Sequence, residues 1–172
     1  MEIKEQNVIK IVTKCILTAT KKGTRKFENG KMIDPGEVVF ESETHNIICN
    51  EGLLLVAGFA IDESATYDTG ITYCEIGTDN TAPAAGDIIL GAFHHRNVVT
   101  SRSRATYEDT FATFFTAAES TAAIKEAGVW GGGDAAAGEA TGLLFAHWLA
   151  IFDNSLGAYD ITITYVLTVA RG

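Results

Sequence analysis

The chain has few cysteines and no long hydrophobic run. Its three cysteines, Cys15, Cys49 and Cys74, lie in apolar segments, and none has the Cys-x-x-Cys spacing of zinc sites and redox pairs. Buried free thiols are therefore expected. No run of roughly eighteen apolar residues is present, and the N-terminus lacks the basic and apolar regions of a signal peptide. We expect a protein made in the cytoplasm, with no membrane partner.

Motifs of known catalytic sites are also missing. The sequence contains no Gly-x-Ser-x-Gly, no Gly-x-x-x-x-Gly-Lys-Ser/Thr and no His-Glu-x-x-His. The glycine run 131–133 lacks the lysine and helix start of a phosphate-binding loop. Because adjacent strand residues point to opposite faces, His94 and His95 are not expected to chelate one metal ion. No enzymatic activity, metal or cofactor is predicted.

The charge is unevenly distributed along the chain. The net charge is −9 at pH 7, yet residues 1–31 hold eight Lys or Arg against three Glu, a net charge of +5. Residues 32–172 hold five Lys or Arg against nineteen Asp or Glu, a net charge of −14. Such an acidic body repels phosphates, so no nucleic-acid partner is predicted. The basic segment predicts either a solvated turn or an arm that docks on an acidic neighbour, through Lys10, Lys14, Lys21, Lys22, Arg25 and Lys26.

Two N-terminal segments alternate as β-strands do. In residues 8–20, Ile11, Cys15 and Leu17 share one face while Lys10 and Lys14 share the other. Residues 37–49 alternate in the same way, and the intervening residues 21–36 contain strong turn signals at Asn29-Gly30 and Pro35-Gly36. The pattern predicts an N-terminal β-hairpin.

Residues 50–60 predict one short helix. Asn50 is a suitable N-cap, and the following residues are apolar on all sides, so we expect the helix to be buried beneath the sheets. From residue 71 the pattern is β throughout, and Ile161, Ile163 and Tyr165 define one face of the clearest strand. The predicted strands are 71–77, 91–101, 105–116, 124–131, 143–152 and 159–170.

Short strands separated by turn signals are typical of an antiparallel β-sandwich. The predicted fold is mainly β: a jelly-roll-like antiparallel β-sandwich over residues 46–172, with an N-terminal hairpin arm over residues 1–45. The Gly/Ala-rich segment 131–141 is predicted to be a mobile or contact-forming loop.

Three side chains stand out as candidate contacts. Glu126 lies in a predicted strand without a recognisable catalytic partner, so we predict a salt bridge or a backbone hydrogen bond, with Arg96 or Lys125 as partner, rather than general-base chemistry. Trp130 adjoins the glycine loop and is predicted to be exposed, where it would suit a glycan or a neighbouring subunit. Asp79 and Asp87 flank Pro83 and are predicted to shape a turn.

An ordered series of short motifs carries a family resemblance. The motifs are Ile76-Gly77-Thr78, Thr81-Ala82-Pro83, Asp87 with Leu90-Gly91, Glu126-Ala127-Gly128 and Ile161-Thr162-Ile163-Thr164. Together they resemble a widespread family of small virion structural proteins of tailed bacteriophages. The chain departs from that pattern where Asp79 replaces a glycine, Lys125 an arginine and Val129-Trp130 a Leu-Phe pair, and where His147 lies near the place of an arginine.

The resemblance implies a part of the virion and no enzymology. We predict a capsid decoration or head-fibre-base protein that forms a homotrimer and docks on the major capsid protein or another virion protein. Two alternatives stay open: a tail or baseplate component, and a module that binds host glycans through Trp130.

Overall fold

The computed structural model describes residues 9–29, 31–61, 69–139 and 141–171. Most of them form strands, with one helix between the fifth and sixth. The elements are β1 (Ile9–Lys21), β2 (Lys26–Glu28), β3 (Lys31–Asp34), β4 (Val38–Thr44), β5 (Ile47–Ile48), α1 (Asn50–Ile61), β6 (Ile71–Gly77), β7 (Phe93–Val98), β8 (Ser101–Ala105), β9 (Glu108–Phe115), β10 (Ala123–Gly131), β11 (Leu143–Asp153) and β12 (Tyr159–Arg171).

Two five-stranded antiparallel sheets form a β-sandwich. The first sheet has the order β4-β1-β12-β9-β8, and the second has the order β5-β11-β10-β6-β7. Their facing side chains form one main core, in which Tyr165 of the first sheet stacks on Trp148 of the second with ring centroids 5.8 Å apart. The predicted mainly β sandwich with one short helix is confirmed.

The closing strand β12 lies at the centre of the first sheet. It pairs with β1 from Tyr159 to Arg171 and with β9 on its other side. Ile161, Ile163 and Tyr165 are buried in the core, as their alternation predicts. The opposite face carries Thr162 and Thr164.

The N-terminal segment is part of the sandwich and does not form a separate arm. β1 pairs with β4, as the predicted hairpin requires, but it also pairs with β12 over thirteen residues. Its Cys15, Leu17 and Ala19 belong to the main core. The predicted boundary at residue 45 therefore cuts through one sheet, because β1 is hydrogen-bonded to β4 and β12 while its apolar face packs in the core.

Helix α1 is only half buried, contrary to the prediction. Gly52, Leu55 and Gly58 form its buried face, whereas Leu53 and Leu54 are exposed. A side chain at Gly52 would overlap the backbone of Phe145, so glycine lets the helix approach β11 closely. An apolar helix at the end of the sandwich has only one neighbouring surface against which it can pack.

All three cysteines are buried free thiols, as predicted. Burial, the main cause, raises the pKa of the Cys49 thiol to about 12, so it is uncharged at neutral pH. Among the described residues, no helix has the length and hydrophobicity needed to cross a membrane.

Candidate functional site

Three ionisable side chains from distant parts of the chain meet on the outer face of the second sheet. Glu126 lies on β10, His147 on the neighbouring β11, and Asp87 in the loop 78–92 that covers both strands. His147 Nε2 is 3.0 Å from Glu126 Oε2, and its Nδ1 is 2.8 Å from Asp87 Oδ2. We call the three residues the carboxylate–histidine clasp.

Backbone amides of the loop complete the clasp. The N–H groups of Asp79 and Ala92 donate to Glu126 Oε1 at 3.1 and 2.7 Å, and that of Gly91 donates to Oε2 at 2.9 Å. Glu126 is 1% exposed, so these three bonds and His147 replace the water that a carboxylate requires. One buried side chain thereby fixes both ends of the loop to the sheet.

Two glycines make room for carboxylates at this site. A Cβ at Gly77 would overlap Glu126 Oε1, and a Cβ at Gly91 would overlap the carboxylate of Asp79. Asp79 and Asp87 also accept hydrogen bonds from the amides of Thr81 and Ala84, so their predicted turn-shaping role is confirmed. Four motif positions of the family resemblance, Gly77, Asp87, Gly91 and Glu126, therefore meet at one place.

The charges of the clasp reinforce one another. Burial alone would raise the pKa of Glu126, but hydrogen bonds from His147 and the three amides outweigh it and lower that pKa. Burial alone would lower the pKa of His147, but hydrogen bonds and attraction from Glu126 and Asp87 outweigh it and raise that pKa. Both shifts favour a charged imidazolium beside the charged carboxylate of Glu126.

This arrangement suits a structural role, holding the loop 78–92 against the sheet, better than it suits catalysis. Both ring nitrogens of His147 are held by carboxylates, and both oxygens of Glu126 accept hydrogen bonds. General acid–base catalysis needs one of these atoms to reach a substrate. Among the described residues, no group of three His, Cys, Asp or Glu is placed to hold a metal ion.

The predicted ion pair between Arg96 and Glu126 is wrong. Arg96 Nη1 instead binds Glu75 Oε1 at 2.7 Å, and both side chains are buried. Strand register explains the difference, because Arg96 on β7 lies directly opposite Glu75 on β6, whereas Glu126 lies opposite Gly77. Lys125, the other predicted partner of Glu126, is exposed on β10.

Arg96 also holds the Gly/Ala-rich loop. Its Nη1 and Nη2 donate to the carbonyl oxygens of Gly138 and Thr141 at 3.1 and 2.7 Å. The guanidinium lies over the rings of Tyr73 and Trp130, 4.7 and 5.2 Å from their centroids. The described part of this loop is thus fastened to the outer face of the second sheet.

Trp130 is 0% exposed, so the prediction of an exposed contact is wrong. It packs with Cys49, Leu90 and Leu144 in a second, smaller core on the outer face of the second sheet. The loop 78–92 and the Gly/Ala-rich loop lie over this face. Trp130 is therefore not available as an aromatic platform for a glycan.

Four of the six predicted docking cations have partners within the chain. Lys14, Lys21 and Lys26 pair with Glu43, Glu37 and Asp34 at 3.5 to 3.6 Å, and all three pairs are largely exposed. Each is therefore weak. Arg25 is half-buried over the ring of Phe114 and donates to Thr20 and Thr162, while Lys10 and Lys22 are exposed.

Sequence reasoning missed His147, Asp87 and Glu75 as partners of the residues it selected. The one available signal was the apolar setting of His147 and Glu126, since buried charges in strands require partners.

Comparisons with known proteins identify no relative: no family model, no curated protein and no solved structure matches the chain.

Proposed function

We propose that this chain is a structural subunit of a tailed-phage virion, a β-sandwich that self-associates and docks on the particle. The observation that carries the proposal is the convergence of the motif residues Gly77, Asp87, Gly91 and Glu126 on one clasp. Motif residues that fasten a loop to a sheet maintain the fold, and a stable fold is what a structural subunit contributes to a virion. Capsid decoration or a head-fibre base is the favoured place, and the tail or baseplate is the alternative.

Exposed apolar side chains support self-association. Leu54 of α1 is 54% exposed and Ile88 of the loop 78–92 is 60% exposed; Leu53 and Ile89 beside them are also exposed. The two elements are joined by a hydrogen bond from Asn50 N to Ala85 O at 2.8 Å. Neighbouring exposed apolar residues are typical of protein–protein contacts. We infer that α1 and this loop form the contact between subunits, in a homotrimer.

The place of the chain on a particle is tested directly. Mass spectrometry of purified particles from the phage whose genome encodes the chain should detect it at a stoichiometry matching threefold positions. Immunogold labelling with antibodies to the sandwich should then mark the head. Labelling of the tail would select the alternative, and absence from the particles would contradict the proposal.

The subunit contact is tested by light scattering on matched variants. Leu53→Ser with Leu54→Ser should convert the trimer to a monomer without unfolding the sandwich. Ile151→Ser is the control, since Ile151 is 60% exposed but lies six residues beyond Phe145 along β11, roughly 20 Å from the helix contact. A wild-type monomer, or equal dissociation by both variants, would contradict this contact.

A further inference from the structure

A cleft opens between the two sheets at the end of the sandwich where α1 lies. Its volume is about 970 Å³. Side chains of both sheets and of the helix contribute to an apolar lining, which includes Ile11, Leu55, Phe111, Phe145, Leu167 and Val169. Ligand sites are typically clefts of roughly 300–1,000 Å³ with such linings.

The apolar lining is only partly covered by the described protein. Leu55 and Phe145 at the inner end are buried, but Val169 near the opening is 40% exposed, and Phe111 and Leu167 are half-buried. The cleft therefore keeps apolar surface in contact with solvent. A ligand that covers this surface gains roughly 0.8 kcal/mol for each methylene it buries, which corresponds to about a fourfold gain in affinity.

One wall of the cleft is positively charged in a protein whose net charge is −9. Its charged lining residues are Arg102, Arg104 and Asp109. Arg104 and Asp109 form a bidentate pair at 2.6 and 3.2 Å and neutralise each other. Arg102 donates only to the carbonyl oxygen of Ile71, at 3.1 and 3.4 Å, and has no carboxylate partner among the described residues.

From these features we propose that the cleft binds an amphipathic anion, an aliphatic chain ending in a carboxylate. The chain would lie along Phe111, Leu167 and Val169, and the carboxylate would accept hydrogen bonds from the guanidinium of Arg102. Arginine suits this role because its fork of N–H donors matches a carboxylate. The site is independent of the proposed virion role and would persist if that role were disproved.

Calorimetric titration of the whole chain with linear carboxylates tests the site. Octanoate, decanoate and dodecanoate are used below their micelle concentrations, with dodecylamine as the cationic counterpart. Affinity should rise up to about fourfold for each added methylene. Dodecanoate should bind at least tenfold more tightly than dodecylamine, since only the carboxylate pairs with Arg102.

Variants separate the head-group contact from the cleft. Arg102→Gln should weaken the binding of dodecanoate about tenfold and remove the preference of the protein for dodecanoate over dodecylamine. Val169→Trp should abolish binding by filling the opening. Lys10→Gln removes the same charge from an exposed site on β1 and should change nothing. Thermal unfolding of each variant confirms that it is folded.

Three results would overturn the proposal. They are no heat of binding for any carboxylate, equal affinities for dodecanoate and dodecylamine, and dodecanoate binding that survives Val169→Trp. If Arg102→Gln does not fold, the chain-length and head-group series on the wild-type protein still decides the question.

Discussion

At the scale of single residues, Glu126 connects the loop 78–92 to strands β10 and β11. A buried carboxylate is costly unless its oxygens are fully hydrogen-bonded. Its partners come from residues 79, 91, 92 and 147, so the cost is offset only when the loop 78–92 and strand β11 are both in place. The loop 78–92, its packing on the sheet and the hydrogen bonds of the charged Glu126 are therefore expected to form together as the chain folds.

The clasp predicts a pH dependence with two limbs. Because the pKa of His147 is raised above its ordinary 6.5, its contribution is complete below about pH 6.5 and is lost as pH rises through the raised value. Because the pKa of Glu126 is lowered below its ordinary 4.5, its contribution is present above about pH 4.5 and is lost as pH falls through the lowered value. Urea unfolding should show the greatest clasp stabilisation between these two pH values.

His147→Gln tests the alkaline limb. Near pH 6 it should lower the free energy of unfolding by about 3 kcal/mol, because it leaves the buried carboxylate of Glu126 without its cation. The difference from wild type should shrink as pH rises toward 9. His45→Gln, at an exposed histidine, is the control and should stay within about 0.5 kcal/mol. A difference that is constant with pH would contradict the charged imidazolium.

Gly91 and Gly86 provide a matched test of the close packing in the loop. A methyl group at Gly91 meets the Asp79 side chain, whereas one at Gly86 meets nothing within 4 Å. Gly91→Ala should lower the free energy of unfolding by about 1–3 kcal/mol through overpacking, while Gly86→Ala should be within about 1 kcal/mol of wild type. Chemical denaturation measures both, and equal effects would show that the packing at Gly91 is unimportant.

Side-chain partners are the part of the site that the sequence could not predict. Which acid meets Arg96 depends on the register of β6 against β7 and β10, strands joined through long loops. A shift of two residues would exchange Glu75 for Gly77 opposite Arg96. Trp130 was misplaced for a related reason, since glycines follow it in the chain but its neighbours in space are Leu90 and Leu144.

At the scale of elements, alternation within a strand was enough to predict most of the sheet. β12 alternates over its whole length, and the predicted 159–170 nearly equals Tyr159–Arg171. The predicted strand 105–116 was too long at its start, because Thr106 has a φ of 52° in the turn between β8 and β9. Helix α1 has no polar stripe, so nothing in its sequence indicated which side faces solvent.

The central position of β1 predicts what truncation does. Deleting residues 1–31 removes the strand between β4 and β12 and exposes the core side chains that faced Cys15, Leu17 and Ala19. The truncated chain should be unfolded, with circular dichroism lacking the cooperative thermal transition of the full chain. A folded 32–172 fragment would contradict the role of β1.

At the scale of the whole molecule, two opposing surface properties bear on the proposed self-association. The net charge of −9 makes identical subunits repel one another. In the proposed contact, the exposed apolar residues of α1 and the loop 78–92 would draw subunits together. The exposed ion pairs of Lys14, Lys21 and Lys26 add little attraction, since each is already satisfied within its own subunit.

This balance predicts the direction in which salt changes self-association. Raising ionic strength shortens the Debye length from roughly 10 Å at 0.1 M to 3 Å at 1 M, which weakens repulsion between acidic subunits but leaves apolar attraction intact. The dissociation constant from sedimentation equilibrium should therefore fall as sodium chloride rises. It should also fall as pH approaches the isoelectric point of about 4.8. Contacts between basic residues and an acidic neighbouring subunit would weaken as salt rises. A dissociation constant that rises with salt would therefore indicate that the cations of β1, and not α1, make the subunit contact.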